Sequence, residues 1–199
     1  MHEPIALGIT GASGAPYWRR LLEILLAMGE EVHLVHSSNA DAVAQQELGQ
    51  DLESAFEACR RHAEGRGILR VFARDDFHAP MASGTARSRG MAIVPCSMGT
   101  LGKIASGASG DLLTRAADVT LKERRKLVLL TRETPLSLIH LRNMTTITEA
   151  GAIVLHASPG FYQHPQSVQD LIDFMVQRIC DQLGIEVRLM KRWGESSEE

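Results

Sequence analysis

Five short runs of consecutive apolar residues divide the chain: Ile5–Ile9, Val32–His36, Met91–Pro95, Lys126–Thr131 and Ala152–His156. Longer amphipathic stretches separate them, such as Pro16–Met28, which Gly29 stops. A strand that is apolar along its whole length must be covered on both faces, and the intervening helices can supply that cover. The alternation predicts a doubly wound α/β fold, a Rossmann- or flavodoxin-like parallel sheet with helices on both faces. With 199 residues, 44% of them apolar, there is enough material for one sizeable core. One domain is expected over 1–193, with the acidic tail at 194–199 disordered. Asp51–Gly65 reads as an exposed helix. The polar, Arg-rich segment Ala73–Gly90 reads as an irregular functional loop.

Charge and cysteine usage narrow the function classes. A net charge of −3 gives no general attraction to nucleic acid or anionic membrane. No apolar run approaches the roughly 20 residues that span a bilayer. The N-terminus carries Glu3 and no basic region ahead of a long apolar stretch, unlike a secretory signal. Cys59, Cys96 and Cys180 are widely spaced and form no CxxC pair, as befits free thiols in a reducing cytoplasm. The eight histidines include no HExxH, so no metal site is expected.

Sheets of this kind bind ligands beyond the carboxyl ends of their strands. That rule selects Gly11–Gly14, Ser37–Ser38, Cys96–Thr100, Arg132–Glu133 and Ser158–Tyr162. The first is a Gly-Ala-Ser-Gly turn between strand and helix. Its bare amides, a hydroxyl and the helix dipole suit a phosphate, and a tight turn with Ser13 as N-cap suits them equally. It is not GxGxxG, and no GK[ST] follows for a Walker loop. Ala15 stands where both a GxSxG elbow and a short-chain dehydrogenase need glycine. Nearly the same tetrapeptide returns in "SGASGDLL" at Ser106–Leu113, where Asp111 can cap a helix running through Arg124.

Elsewhere the candidates are hydroxyls and charges. Ser97 and Thr100 follow a strand directly, with Gly99 between them, and can hold a second polar group. Arg115 and Lys122 are seven residues apart, nearly on one helix face and ~10 Å apart along the axis, close enough to share an anion or simply to form a solvated face. Arg132–Glu133 ends an apolar strand just before Pro135. It offers a bidentate anion grip beside a proton-exchanging carboxylate, or a local ion pair. Arg178 sits at the edge of the apolar stripe of a helix, Val168–Leu183, whose start carries a Ser167–Asp170 capping box. A cation there needs a partner, either an anionic ligand or an interface carboxylate.

The segments "GITGASGA", "HLVHSS", "VPCSMGTL", "LLTRAADVTLKERRKLVLLTRETPLSLIHLRNM" and "PGFYQHPQS" together resemble the UbiX-type flavin prenyltransferases, formerly described as aromatic-acid decarboxylase components. The likeness runs from the first strand to about Trp193. It implies flavin mononucleotide (FMN) contacts at Ala12, Ser13, Gly14, Ser37, Ser97, Met98, Gly99, Thr100 and Arg132. It implies prenyl-phosphate contacts at Tyr162 and Arg178, and further active-site residues at Arg115, Lys122, Glu133 and Trp193. Gly99 departs from the lysine that many members carry there. The implied reaction joins a dimethylallyl group from dimethylallyl phosphate to N5 and C6 of reduced FMN without a metal. Lys122, Arg132 and Arg178 would stabilise the departing phosphate, Tyr162 and Trp193 the allyl cation, and Glu133, with Ser13, would move protons. The family forms homododecamers, and its product serves a UbiD-type decarboxylase. A flavin-dependent cysteine decarboxylase is the alternative; it relies on a histidine, for which only His36 and His140 lie at the site edge. A non-catalytic FMN-binding accessory protein is the other.

Overall fold

The computed structural model describes residues 3–194. The expected disorder of the tail falls on 195–199, outside the described residues. In chain order the elements are β1 (Ile5–Ile9), α1 (Ala15–Ala27), β2 (Glu31–His36), α2 (Ala40–Leu48), α3 (Leu52–His62), β3 (Ile68–Phe72), β4 (Gly90–Cys96), α4 (Met98–Ala105), α5 (Leu112–Lys122), β5 (Lys126–Thr131), α6 (Leu138–Glu149), β6 (Ile153–His156) and α7 (Val168–Leu183). The six strands form one parallel sheet in the order β3-β2-β1-β4-β5-β6. The chain winds outward from β1 in one direction and from β4 in the other. The loops leaving β1 and β4 therefore diverge and open a crevice between them, the switch point where such sheets take ligands.

The two faces explain why the strands read as continuously apolar. Ile5, Leu7 and Ile9 of β1, with Val128 and Leu130 of β5, face a core formed with α1, α3 and α7. Ala6, Met91, Ile93, Leu127 and Leu129 face the opposite core, under α4 and α5. Period-two alternation distributes one strand between two apolar layers. Trp18 of α1 and Phe56 of α3 anchor the first layer edge-to-face at 5.5 Å.

Four expectations change. A sixth strand, β3, lies at the sheet edge, where Ile68 and Val71 stay exposed, so its run lacks the full apolar pattern. α3 is not simply exposed: Leu52, Ala55, Phe56 and Cys59 are buried on one face. The 73–89 segment is irregular but not detached, because Ala79, Met81 and Ala82 pack into the second core. The helix begun by Asp111 stops at Lys122, because Arg124 turns left-handed at φ 57°. All three cysteines are free and buried, and burial pushes each thiol up to about 12. No helix among the described residues is long and apolar enough to cross a membrane.

Candidate active site

The β1–α1 turn is shaped by close packing. A Cβ on Gly11 would stand 2.5 Å from Cβ of Asn39, and Gly14 takes φ 128°. Ala12 is buried, while Ser13 is exposed. Gly14, not Ser13, is the N-cap of α1, and it makes no side-chain cap. A residue from another helix performs that task. Oε2 of Glu47, near the end of α2, accepts from the amides of Gly14 (2.9 Å) and Ala15 (2.7 Å). Burial alone would raise the pKa of Glu47. Hydrogen bonds from Ser13 and those two amides, with the charge of Arg132, outweigh it and hold the carboxyl below its ordinary value. The positive end of α1 is thus already matched by a carboxylate. The sequence gives no local sign of Glu47; only the packing of α2 beside the turn reveals it.

Across the crevice, buried Thr10 stitches β1 to β4. Its hydroxyl donates to the Pro95 carbonyl (2.7 Å) and accepts from the Ser97 amide (3.0 Å). Ser97 caps α4, its Oγ accepting from the Thr100 amide at 3.3 Å and donating to the Thr100 hydroxyl at 3.0 Å. Met98 is the buried first residue of α4, and Gly99 beside it is exposed. Ser37, Ser97, Gly99 and Thr100 line a cavity of about 280 Å³ with Gly11 at its wall. The Ser37 Oγ is buried there without a hydrogen-bond partner. An orphaned hydroxyl, two further hydroxyls and the N-terminus of α4 fit a phosphoryl group.

At the exit of β5, Arg132 reaches back to the first turn, its Nε donating to the Ser13 carbonyl at 3.2 Å. Its guanidinium lies 4.0 Å from Glu133, whose carboxylate also accepts from the Thr134 amide at 3.1 Å. Arg132 therefore meets the Gly11–Gly14 turn at the strand-end edge, with Glu133 beside it.

The remaining candidates have partners of their own. Tyr162 packs edge-to-face on Trp193 (5.4 Å) and on Phe174 of α7 (5.9 Å). Arg178 has its partner on its own helix: Asp181, at 3.0 Å, which Arg192 also holds at 2.8 Å. Burial would raise the Asp181 pKa, but hydrogen bonds from Arg192 and Gln177, with the charges of Arg192 and Arg178, hold it low. Arg115 donates to the Ala82 carbonyl (3.1 Å) and to Asp118 (3.0 Å). Lys122 pairs with Glu123 at the end of α5, just before β5 begins. The length of β5 puts it roughly 20 Å from Arg132, at the opposite sheet edge. Lys122 thus does not reach an anion held at the switch point of its own chain, and the Arg115 guanidinium is turned to Ala82 and Asp118. The echo tetrapeptide is a connecting loop: the Ala108 amide returns to the Lys103 carbonyl (2.9 Å), and Asp111 opens α5. Both site-edge histidines are held through Nδ1: His140 completes the capping box of α6, and His36 bonds the Ser37 carbonyl.

Comparison with known proteins agrees with this geometry. The Flavoprotein family model matches residues 1–180. A flavin prenyltransferase UbiX from Halalkalibacterium halodurans is 50% identical over 190 residues, covering 95% of this chain and 92% of the relative. The crystal structure of AnUbiX (PadA1) in complex with FMN and dimethylallyl pyrophosphate superposes with a TM-score of 0.89 at 41% identity, covering 98% of this chain and all of that one. A dodecameric FMN-dependent UbiX-like decarboxylase from Escherichia coli O157:H7 superposes with a TM-score of 0.86 at 38% identity, covering 96% of this chain and all of that one. A six-stranded parallel sheet with a crevice at its switch point, matched over nearly its full length by such relatives, makes this chain a member of the UbiX flavin prenyltransferase family.

Proposed function

We propose that the protein transfers a dimethylallyl group from dimethylallyl phosphate to reduced FMN, making prenylated FMN. The observation that carries this reading is the switch-point crevice, where a cavity lined by hydroxyls has at its wall the Gly11–Gly14 turn that Arg132 also grips. Reduced FMN, when bound, supplies the nucleophilic N5 and C6. The chain supplies the rest. Ser37, Ser97 and Thr100 hold the flavin phosphate, with Met98 and Gly99 lending backbone. Ala12, Ser13 and Gly14 border the flavin, and Arg132 fixes the turn through the Ser13 carbonyl. Glu133, held beside Arg132, takes and returns the proton. Tyr162 and Trp193 offer aromatic faces to a developing allyl cation. Arg178 steadies the departing phosphate.

Because Lys122 sits away from the crevice of its own chain and Arg115 is turned to Ala82 and Asp118, the two serve the crevice of a neighbouring copy in a homo-oligomer, a dodecamer like the UbiX-like relative. The exposed Leu138, Ile139 and Leu141 of α6 give an apolar face for such contacts. The product then serves a UbiD-type decarboxylase in the cytoplasm. The test is to mix the protein anaerobically with reduced FMN and dimethylallyl phosphate. A flavin heavier by one dimethylallyl unit, with a new absorption spectrum, is expected. Unchanged flavin overturns the transferase reading, and release of CO2 from a peptide with a C-terminal cysteine would replace it with decarboxylation.

A further inference from the structure

The switch-point cavity carries two charges with no partner so far. Arg74, two residues beyond β3, and Lys103, within α4, both line it. Among the described residues, neither side chain makes a hydrogen bond or ion pair. The other cations discussed above are matched: Arg115 by Asp118, Lys122 by Glu123, Arg132 by Glu133 and Arg178 by Asp181. The cavity's one carboxylate, Asp111, keeps its charge while its Oδ1 accepts from the amide (2.9 Å) and hydroxyl (2.8 Å) of Thr114, so it offsets only one of the two cations and is turned to its own helix start. Two like charges facing one cavity repel unless an anion lies between them.

The fold fixes the position of both. The Arg74 carbonyl accepts from the Leu112 amide at 2.7 Å, tying the exit of β3 to the start of α5. The Lys103 carbonyl accepts from the Ala108 amide at 2.9 Å and the Ser106 hydroxyl at 3.0 Å. The loop containing the echoed Gly-Ala-Ser-Gly thus pins the Lys103 backbone and leads into the segment that pins Arg74. Lys103 lies one helical turn beyond Gly99, on the same face of α4, and a Cβ at Gly99 would meet nothing within 4 Å. The space beside Gly99, at the N-terminus of α4, is open. The buried, partnerless Ser37 Oγ lines the same cavity.

We propose that Arg74 and Lys103 clamp the terminal phosphate of the flavin, and that this charge makes the protein select phosphorylated flavin over riboflavin. A phosphate monoester carries close to two negative charges at neutral pH, which two cations balance. The inference rests on the reading that this cavity receives a flavin.

The test titrates flavin-free protein with FMN and with riboflavin, following flavin fluorescence. The wild type, Arg74→Gln, Lys103→Gln and the double variant are compared, with thermal melts as folding controls. Each single change should weaken FMN binding about 10-fold or more, and the double change about 100-fold. Riboflavin affinity should stay within about 2-fold, and FMN binding should lose salt sensitivity in the double variant. Arg74→Lys should recover part of the loss, since it keeps the charge but not the fork. Unchanged FMN affinity in the folded double variant overturns the clamp. Equal losses for FMN and riboflavin overturn it too, because they mark a structural role. A wild type that binds both flavins equally sinks the clamp alone, whereas a wild type that binds neither sinks the flavin reading with it.

Discussion

Two carboxylates, Glu47 and Glu133, do different work at the strand-end edge of the sheet. Glu47 receives the amides that begin α1, so it acts as a helix cap delivered from another element. Its pKa lies below the ordinary carboxylate value in the folded state. Its stabilisation is therefore complete above the ordinary carboxylate range and is lost as pH falls through the depressed folded value. Glu47→Gln should lower the melting temperature near neutral pH by an amount typical of a lost cap, about 1 kcal/mol. The gap between variant and wild type should close in acid, and melts across a pH series check this. Glu133 instead lies at the exit of β5 beside Arg132. Glu133→Gln should preserve flavin binding and slow prenyl transfer on the order of 100-fold, the usual span for a lost acid or base. Single-turnover rates at the wild-type level would remove Glu133 from proton transfer.

At the scale of elements, α7 and the C-terminal arm form one aromatic and ionic unit. Tyr162 is wedged against Phe174 and Trp193, and Asp181 gathers Arg178 and Arg192. Removing Arg178 leaves Asp181 its bond to Arg192, so the helix keeps its anchor to the arm. Arg178→Ala should therefore fold normally and bind FMN as the wild type does. Its affinity for dimethylallyl phosphate should fall about 10- to 150-fold, the value of one charge-assisted contact. Titrating the donor into flavin-loaded variant, alongside a sizing run, measures both. An intact assembly with wild-type donor affinity would leave Arg178 a purely structural ion pair.

For the whole molecule, the open question is how one chain completes its site. Lys122 stands at the opposite sheet edge from Arg132, and α6 buries only Ile147 among the described residues. Exposed Leu138 and Ile139 on that helix need cover from something. Ile139→Glu should reduce the particle mass in sedimentation velocity, because a buried charge without a partner is costly at an interface. Prenyl transfer should fall with the assembly, while FMN binding by the dissociated chain persists in part. Full activity in a monomeric variant would show that Arg115 and Lys122 are not needed across copies.

The sequence determined the layered α/β class and four features of the site edge. Continuous apolar runs can be satisfied only between two helical layers, and strand ends mark where the Gly11–Gly14 turn, Ser37, Ser97–Thr100 and Arg132–Glu133 must gather. Capping chemistry is local too, so Ser167 and Asp111 announced their helices. The edge strand β3 escaped notice because half of it faces solvent and its apolar pattern is broken. Tertiary structure alone decided the rest. Glu47 lies more than 30 residues from the turn it caps, and no spacing rule connects them. Asp181, the helix partner of Arg178, also gathers Arg192 from the C-terminal arm, a contact that no local spacing announces. Lys122 lies on the same face of α5 as Arg115, yet the direction of the chain carries it away from the crevice. Periodicity specifies which face of an element is apolar; only the packing of distant elements fixes which charges meet.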